Sequence, residues 1–261
     1  MAVNSICGSR LRADALFNRV QWIVFILAAL LAAAYLAWLA LAQANFLYPL
    51  WYNLIEIDRT IEIYAPQNRY RQGFEETSKA ERGHLFAAIV DAIHNHGRGL
   101  RKLVYHDATG RQLGYLLRKP EVTHLQDVAR LVDRIRPVGL GAVIVTAALL
   151  FVIRRRKAPM PSLILLSLGA IAPLCAITMT MITIDPIKVF YWLHTRIFPP
   201  NHEWFFYYQD SLMSTMMKAP DLFGYIAAAW ALLTLFLLLI LIAVAWLSTS
   251  SQAYDFSRRA P

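Results

Sequence analysis

Long apolar runs alternate along this chain with two polar stretches rich in aromatic residues. Trp22 to Ala44, Pro137 to Ile153, Leu163 to Ile184 and Leu222 to Leu247 are nearly unbroken hydrophobic segments. At a rise of about 1.5 Å per residue, the first, third and fourth match a hydrocarbon core of about 30 Å. The second is slightly short, and Pro137 joins it to an amphipathic stretch, Glu121 to Arg136, whose Leu125, Val128, Leu131, Val132 and Ile135 form one apolar stripe. The pattern predicts an all-α membrane protein: four transmembrane helices and a mainly helical extracytoplasmic domain containing a small β-hairpin.

Within the first polar stretch, Ser78 to His96 reads as a helix. Ser78 and Glu81 are spaced as a capping box, Leu85, Ile89 and Ile93 recur every four residues, and Gly97 and Gly99 end the run. Leu103 to Leu117 reads as a hairpin turning at Asp107 to Gly110. Tyr48 to Tyr64 gives no clear period. In the second stretch Ile187, Phe190, Tyr191, His194, Ile197 and Phe198 fall on one helical face of a surface-lying segment. Pro199 and Pro200 follow, then Asn201 as an N-cap of a second helix carrying Phe205, Phe206, Gln209 and Met213. Aromatic residues at this density suit a membrane interface.

Charge orients the chain, because short cytoplasmic loops carry excess Lys and Arg. Arg10, Arg12 and Arg19 precede the first span, Arg154, Arg155, Arg156 and Lys157 follow the second, and Arg258 and Arg259 come after the fourth. The expected plan is a cytoplasmic tail 1–21, span 22–44, outer domain 45–136, span 137–153, cytoplasmic loop 154–162, span 163–184, outer loop 185–221, span 222–247 and tail 248–261. In bacteria this means the cytoplasmic membrane, with both termini inside. Ala42, Gln43 and Ala44 resemble a signal-peptidase site, but the run before them is longer than an h-region, which favours an uncleaved anchor. The formal charge of +9 is partly explained by this topology and by affinity for anionic phospholipid, without nucleic acid. Cys7 and Cys175 fall in the tail and in the third span, so they cannot pair with each other.

All seven histidines fall in the outer segments. His124 lies in the first turn of its predicted helix and His202 directly follows the Asn201 cap. A helix N-terminus disfavours imidazolium, so both rings should be neutral and available as bases. Asp127, three residues after His124, is placed to fix its tautomer. The alternative is that His124 is a solvated polar residue and His202 an interfacial one. His94, His96 and His106 lack the spacing of a metal site. No span has a charged residue near its centre, which argues against an ion-coupled transporter. No P-loop, Gly-x-Ser-x-Gly, His-Glu-x-x-His or dinucleotide fingerprint occurs.

Two stretches resemble the bacterial lipoprotein intramolecular transacylase family and its integral membrane relatives. Glu121-Val122-Thr123-His124-Leu125-Gln126-Asp127-Val128 is similar to the family's Glu-x-x-His-Leu-x-Asp-Val stretch. His202-Glu203-Trp204-Phe205-Phe206 is similar to its His-x-x-Phe-Phe, and Pro220 to Phe223 to its closing Pro-x-x-Phe. The basic residue expected after the Asp-Val pair is Ala129 here, with Arg130 one place later. The resemblance implies transfer of the sn-2 acyl chain of a diacylated lipoprotein to the α-amine of its N-terminal cysteine, with no cofactor. The family's two histidines would correspond to His124 and His202: His124 with Asp127 is the expected base, His202 the group that stabilises the tetrahedral oxyanion or protonates the leaving alkoxide, and Asn201, Trp204, Phe205 and Phe206 the substrate-binding residues in a loop that cradles acyl chains. Competing readings are a non-enzymatic sensor or partner-binding module, weakened by the absence of a cytoplasmic output domain, and a related acyltransferase acting on another lipid.

Overall fold

The computed structural model describes residues 2–156, Met179 and residues 186–257. The third expected span, 163–184, with Cys175, lies outside the described residues apart from Met179, as do Lys157, Arg258 and Arg259. The elements in chain order are α1 (Ala2–Gln43), α2 (Tyr48–Leu54), α3 (Ile57–Tyr64), α4 (Lys79–His94), β1 (Val104–His106), β2 (Gln112–Tyr115), α5 (Lys119–Arg156), α6 (Pro186–Ile197), α7 (Leu212–Met217) and α8 (Asp221–Ser257). Three of them contain segments long and apolar enough to cross a membrane: Asp14–Gln43, Lys119–Arg156 and Asp221–Ser248. These are the first, second and fourth expected spans. Pro137 sits inside α5, so the amphipathic stretch and the second span are one continuous helix. Residues 137–153, the expected second span, form the apolar part of this helix.

The chain divides into two units. One comprises residues 1–37, 138–183 and 231–261. Its described core joins Trp22, Phe25, Ala29 and Ala33 of α1 to Ile153 of α5 and to Leu238 and Ala245 of α8. Small residues recur at 29, 33 and 37, each fully buried, as expected where helices in lipid pack by close backbone approach. Gly139 serves the same end: a Cβ there would lie 2.3 Å from the Tyr35 ring. Leu27, Leu31, Ile144, Phe151, Leu232 and Phe236 are exposed, which is how a lipid-facing surface reads.

The other unit comprises residues 38–137 and 184–230. Tyr48 to Tyr64, unreadable from sequence, forms the short helices α2 and α3, separated by Glu56 in a left-handed conformation. Arg82, almost wholly buried on α4, ties this region together. It donates to Thr77 Oγ1 at 2.8 Å, to the Tyr52 hydroxyl at 2.6 Å and to the Glu75 carbonyl at 3.1 Å. Ser78 caps α4 by accepting from the Glu81 amide at 3.1 Å. The reciprocal half of the expected capping box is replaced: the Glu81 carboxylate instead accepts from the His106 backbone at 3.0 Å and meets its ring Nδ1 at 2.9 Å. Gly97 and Gly99, both at positive φ, end the helix as expected. The hairpin also forms where expected, β1 antiparallel to β2, with Gly110 at φ 85° in the turn.

The second outer loop departs from its expected form. Helix α6 is present, but no helix follows Asn201. Residues 203–207 form neither helix nor strand, one 3₁₀ turn spans Tyr208–Asp210, and α7 starts only after Ser211, whose hydroxyl accepts from the Ser214 amide. The reason is visible in the burial pattern. Trp204 and Phe206 are turned inward while Glu203, Phe205 and Tyr207 are exposed, a period of two that suits an extended segment.

Candidate active site

Helix α5 positions the first group. Because it starts at Lys119, His124 lies in the second turn, past the free amides of the N-terminus. The helix-end argument for its neutrality therefore does not hold, and burial takes its place. The ring is edge-on to Phe198, with centroids 4.8 Å apart, and faces Phe206 at 6.2 Å. Burial pushes its pKa down to about 4, the nearby His194 lowers it further, and Asp127 opposes both. Its Nδ1 is buried and makes no hydrogen bond.

Asp127 does not fix the His124 tautomer. Its Oδ2 lies 2.6 Å from Nδ1 of His202, and its Oδ1 accepts from Arg130 one turn later. The Asp127 side chain is only 5% exposed, so the carboxylate is held away from water while His202 keeps a partly exposed edge. A carboxylate on Nδ1–H leaves Nε2 as the lone-pair nitrogen of the ring. His202 is not at a helix N-terminus, since its segment is a turn leading into chain that is neither helix nor strand. Arg130 thus takes a role that the sequence left unassigned.

Beside these groups lies a cavity of about 380 Å³ with an almost entirely apolar wall. His124, Trp204 and Phe206 line it, and so do Phe190, His194 and Phe198, which recur at i, i+4 and i+8 along and just beyond α6. Tyr191 and Ile197, expected on the same face, point outward. Of the four residues expected to bind substrate, Trp204 and Phe206 line the cavity. Phe205 is 39% exposed and packs on Tyr191 and Tyr207, and Asn201 is exposed and caps no helix. His94 also lines the cavity, and its partners are separate from those of His96 and His106. It accepts from the Trp38 indole at 3.0 Å and bonds the Val90 carbonyl, whereas His96 meets Asp133 and His106 meets Glu81.

Glu121 anchors the start of α5. It is fully buried, accepts from the Ser211 hydroxyl and from the Arg118 amide, each at 2.5 Å, and thereby fastens the start of α5 to the start of α7. Burial raises its pKa, opposed by the Ser211 and Arg118 hydrogen bonds. The Arg118 guanidinium in turn sits 5.9 Å over Phe206. Glu121→Leu strands two buried donors and is expected to cost about 3 kcal/mol, against about 1 for Glu121→Gln, which keeps an acceptor. Thermal unfolding in a nonionic detergent measures the difference, and equal stability of the two variants would show that the anchor is dispensable.

The family model described as lipoprotein intramolecular transacylase Lit matches residues 19–223. Among curated protein sequences none matches. Solved structures of the membrane integral lipoprotein intramolecular transacylase Lit from Bacillus cereus share the fold. A histidine-to-arginine mutant is 14% identical, with a TM-score of 0.68 over 95% of this chain and 99% of that one. A histidine-to-alanine mutant is 15% identical, with a TM-score of 0.67 over 94% and 99%. A third structure of that protein is 15% identical, with a TM-score of 0.65 over 92% and 99%.

Proposed function

The chain belongs to the lipoprotein intramolecular transacylase family, and on that premise we propose that it moves the sn-2 acyl chain of a diacylated lipoprotein to the α-amine of the same N-terminal cysteine. The observation that carries the reading is the pairing of a buried Asp127 with His202, beside a neutral His124 on the wall of an apolar cavity. The orientation that goes with it keeps both termini in the cytoplasm and sets the histidines on the outer side of the bacterial cytoplasmic membrane, where lipoproteins and phospholipids are met.

An α-ammonium has a pKa near 8, so it must lose a proton before it can attack an ester. In this proposal that proton is released to water, and as the free amine adds to the ester carbonyl, forming the C–N bond, His202 Nε2 takes a second proton from the nitrogen, Asp127 stabilising the imidazolium formed. His124, neutral because it is buried, donates a hydrogen bond to the oxyanion without competing for the proton. The C–O bond then breaks, and His202 returns its proton to the leaving glyceryl oxygen. This reverses the roles drawn from the sequence, where His124 was the base. Donor and acceptor share one molecule, so holding them in attack geometry supplies roughly 7 to 11 kcal/mol. The acyl chain occupies the apolar cavity.

Mass spectrometry of lipoprotein N-termini, from bacterial cells with and without this protein, tests the proposal. Cells that make it should show an N-acyl cysteine with a free sn-2 hydroxyl. An unchanged acyl position would refute the reading, and an altered free phospholipid would point instead to a related acyltransferase.

A further inference from the structure

A third imidazole shares the cavity with His124, and the proposed chemistry does not use it. His194 sits on α6 with its Nδ1 2.7 Å from the Phe190 carbonyl oxygen, so Nδ1 carries the hydrogen and Nε2 the lone pair of the neutral ring. Its ring lies 3.8 Å from Phe190, 4.9 Å from Trp204 and 5.3 Å from Phe198, and 6.3 Å from the ring of His124. Among the described residues nothing donates to its Nε2. His94, the other histidine on the cavity wall, is different, because both of its nitrogens are engaged.

A free acceptor nitrogen in an apolar wall selects for a ligand that brings an N–H or O–H donor on an otherwise apolar body. Among the described residues no carboxylate lines the cavity to balance a cation, and no lysine or arginine lines it to balance an anion. The ligand class is therefore neutral at the polar end. A primary α-amine fits best: its modest pKa is lowered further on leaving water, which leaves it as the free base with hydrogens to donate.

We propose that His194 Nε2, with His124 beside it, forms the amine subsite of this cavity, accepting one N–H of the α-amine while Phe190, Phe198 and Trp204 exclude water. His194 would then set the direction of the amine lone pair, leaving a second N–H for the base. This deepens the transacylase reading and rests on it for the identity of the amine.

Binding without turnover tests the subsite. Full-length protein released from nonionic micelles is titrated, by native mass spectrometry, with the dodecyl ester of glycine and with dodecyl methoxyacetate, which has the same dodecyl chain and no N–H. The glycine ester should bind wild type about fivefold to tenfold more tightly, the worth of one net hydrogen bond. In His194→Phe that preference should vanish while the methoxy ester binds as before, and His194→Gln, which keeps an acceptor, should recover part of it. Equal binding of the two esters by wild type, or an undiminished preference in His194→Phe, overturns the proposal. If His194→Phe binds neither ester, the wild-type comparison together with His194→Gln decides. A protein that binds the glycine ester through His194 yet leaves lipoprotein acyl positions unchanged refutes the transacylase reading and keeps the subsite. Acyl transfer with no preference for the amine refutes the subsite alone.

Discussion

Replacing His202 by alanine is expected to lower acyl transfer in membranes by about 10²- to 10⁴-fold, the usual range for loss of a positioned general base. The expectation follows from the 2.6 Å bond between His202 Nδ1 and Asp127, which leaves Nε2 as the only proton acceptor the ring can offer. Asp127→Asn should reproduce much of that loss. An amide can donate to Nδ1 as well as accept from it, so the tautomer is no longer fixed, and its neutral oxygen stabilises the imidazolium less. His106→Ala supplies the control, because that ring has a comparable bond, 2.9 Å to Glu81, on a half-exposed surface away from the cavity. Rates are read as the fraction of a diacylated lipopeptide converted in membranes holding equal amounts of each variant. A His202→Ala protein retaining more than about a tenth of the wild-type rate would remove His202 from the base position.

The order of elements was largely legible in the sequence, since each rests on a local signal. The spans declare themselves by length and apolarity, α4 by its Ser78 cap and terminal glycines, and the hairpin by Asp107 and Gly110. Pro137 was readable too, because the stripe from Leu125 to Ile135 runs into the second span without a stop signal. What failed was the period of the second outer loop. Asn201 has the chemistry of an N-cap, and Phe205, Phe206, Gln209 and Met213 can be drawn on a helical face. The same residues also alternate, and the inward Trp204 and Phe206 show that alternation is the pattern the fold uses. Tertiary packing against the cavity outweighed the local cap.

The pairings among the candidate site residues were not legible in the sequence. Asp127 stands one helical turn from His124, and sequence spacing offers it no other histidine. The partner it takes, His202, is 75 residues away, a contact no periodicity can reveal. Arg130 seemed one place late for a family motif, yet i, i+3 spacing is what lets it reach Asp127. His194 was placed on the right helical face, but that face alone could not distinguish an interfacial residue from one on a cavity wall. Six of the seven histidines divide by partner: three face carboxylates, two are fixed by backbone carbonyls, and His124 has a buried Nδ1 with no partner among the described residues.

That isolation of His124 makes the last prediction two-sided. His124→Phe should lower acyl transfer by about 10²- to 10³-fold, the usual cost of losing one oxyanion donor, while making the protein more resistant to acid. With a folded pKa of about 4, against about 6.5 in an unfolded chain, the unfolded state takes up the proton first as pH falls. Stability is therefore fully present above about pH 6.5, declines between about 6.5 and 4, and levels off below, with a total loss of about 3 kcal/mol. Phenylalanine has no proton to take up, and Phe198 and Phe206 around the site accept another aromatic ring. His194, whose pKa burial also lowers, contributes in the same sense to both proteins and cancels in the comparison. Unfolding in nonionic detergent at about pH 7 and pH 4.5 should show the wild type losing about 2 to 3 kcal/mol more than the variant. Parallel losses would mean that His124 is not held neutral by burial, and the oxyanion role argued for it would lose its physical basis.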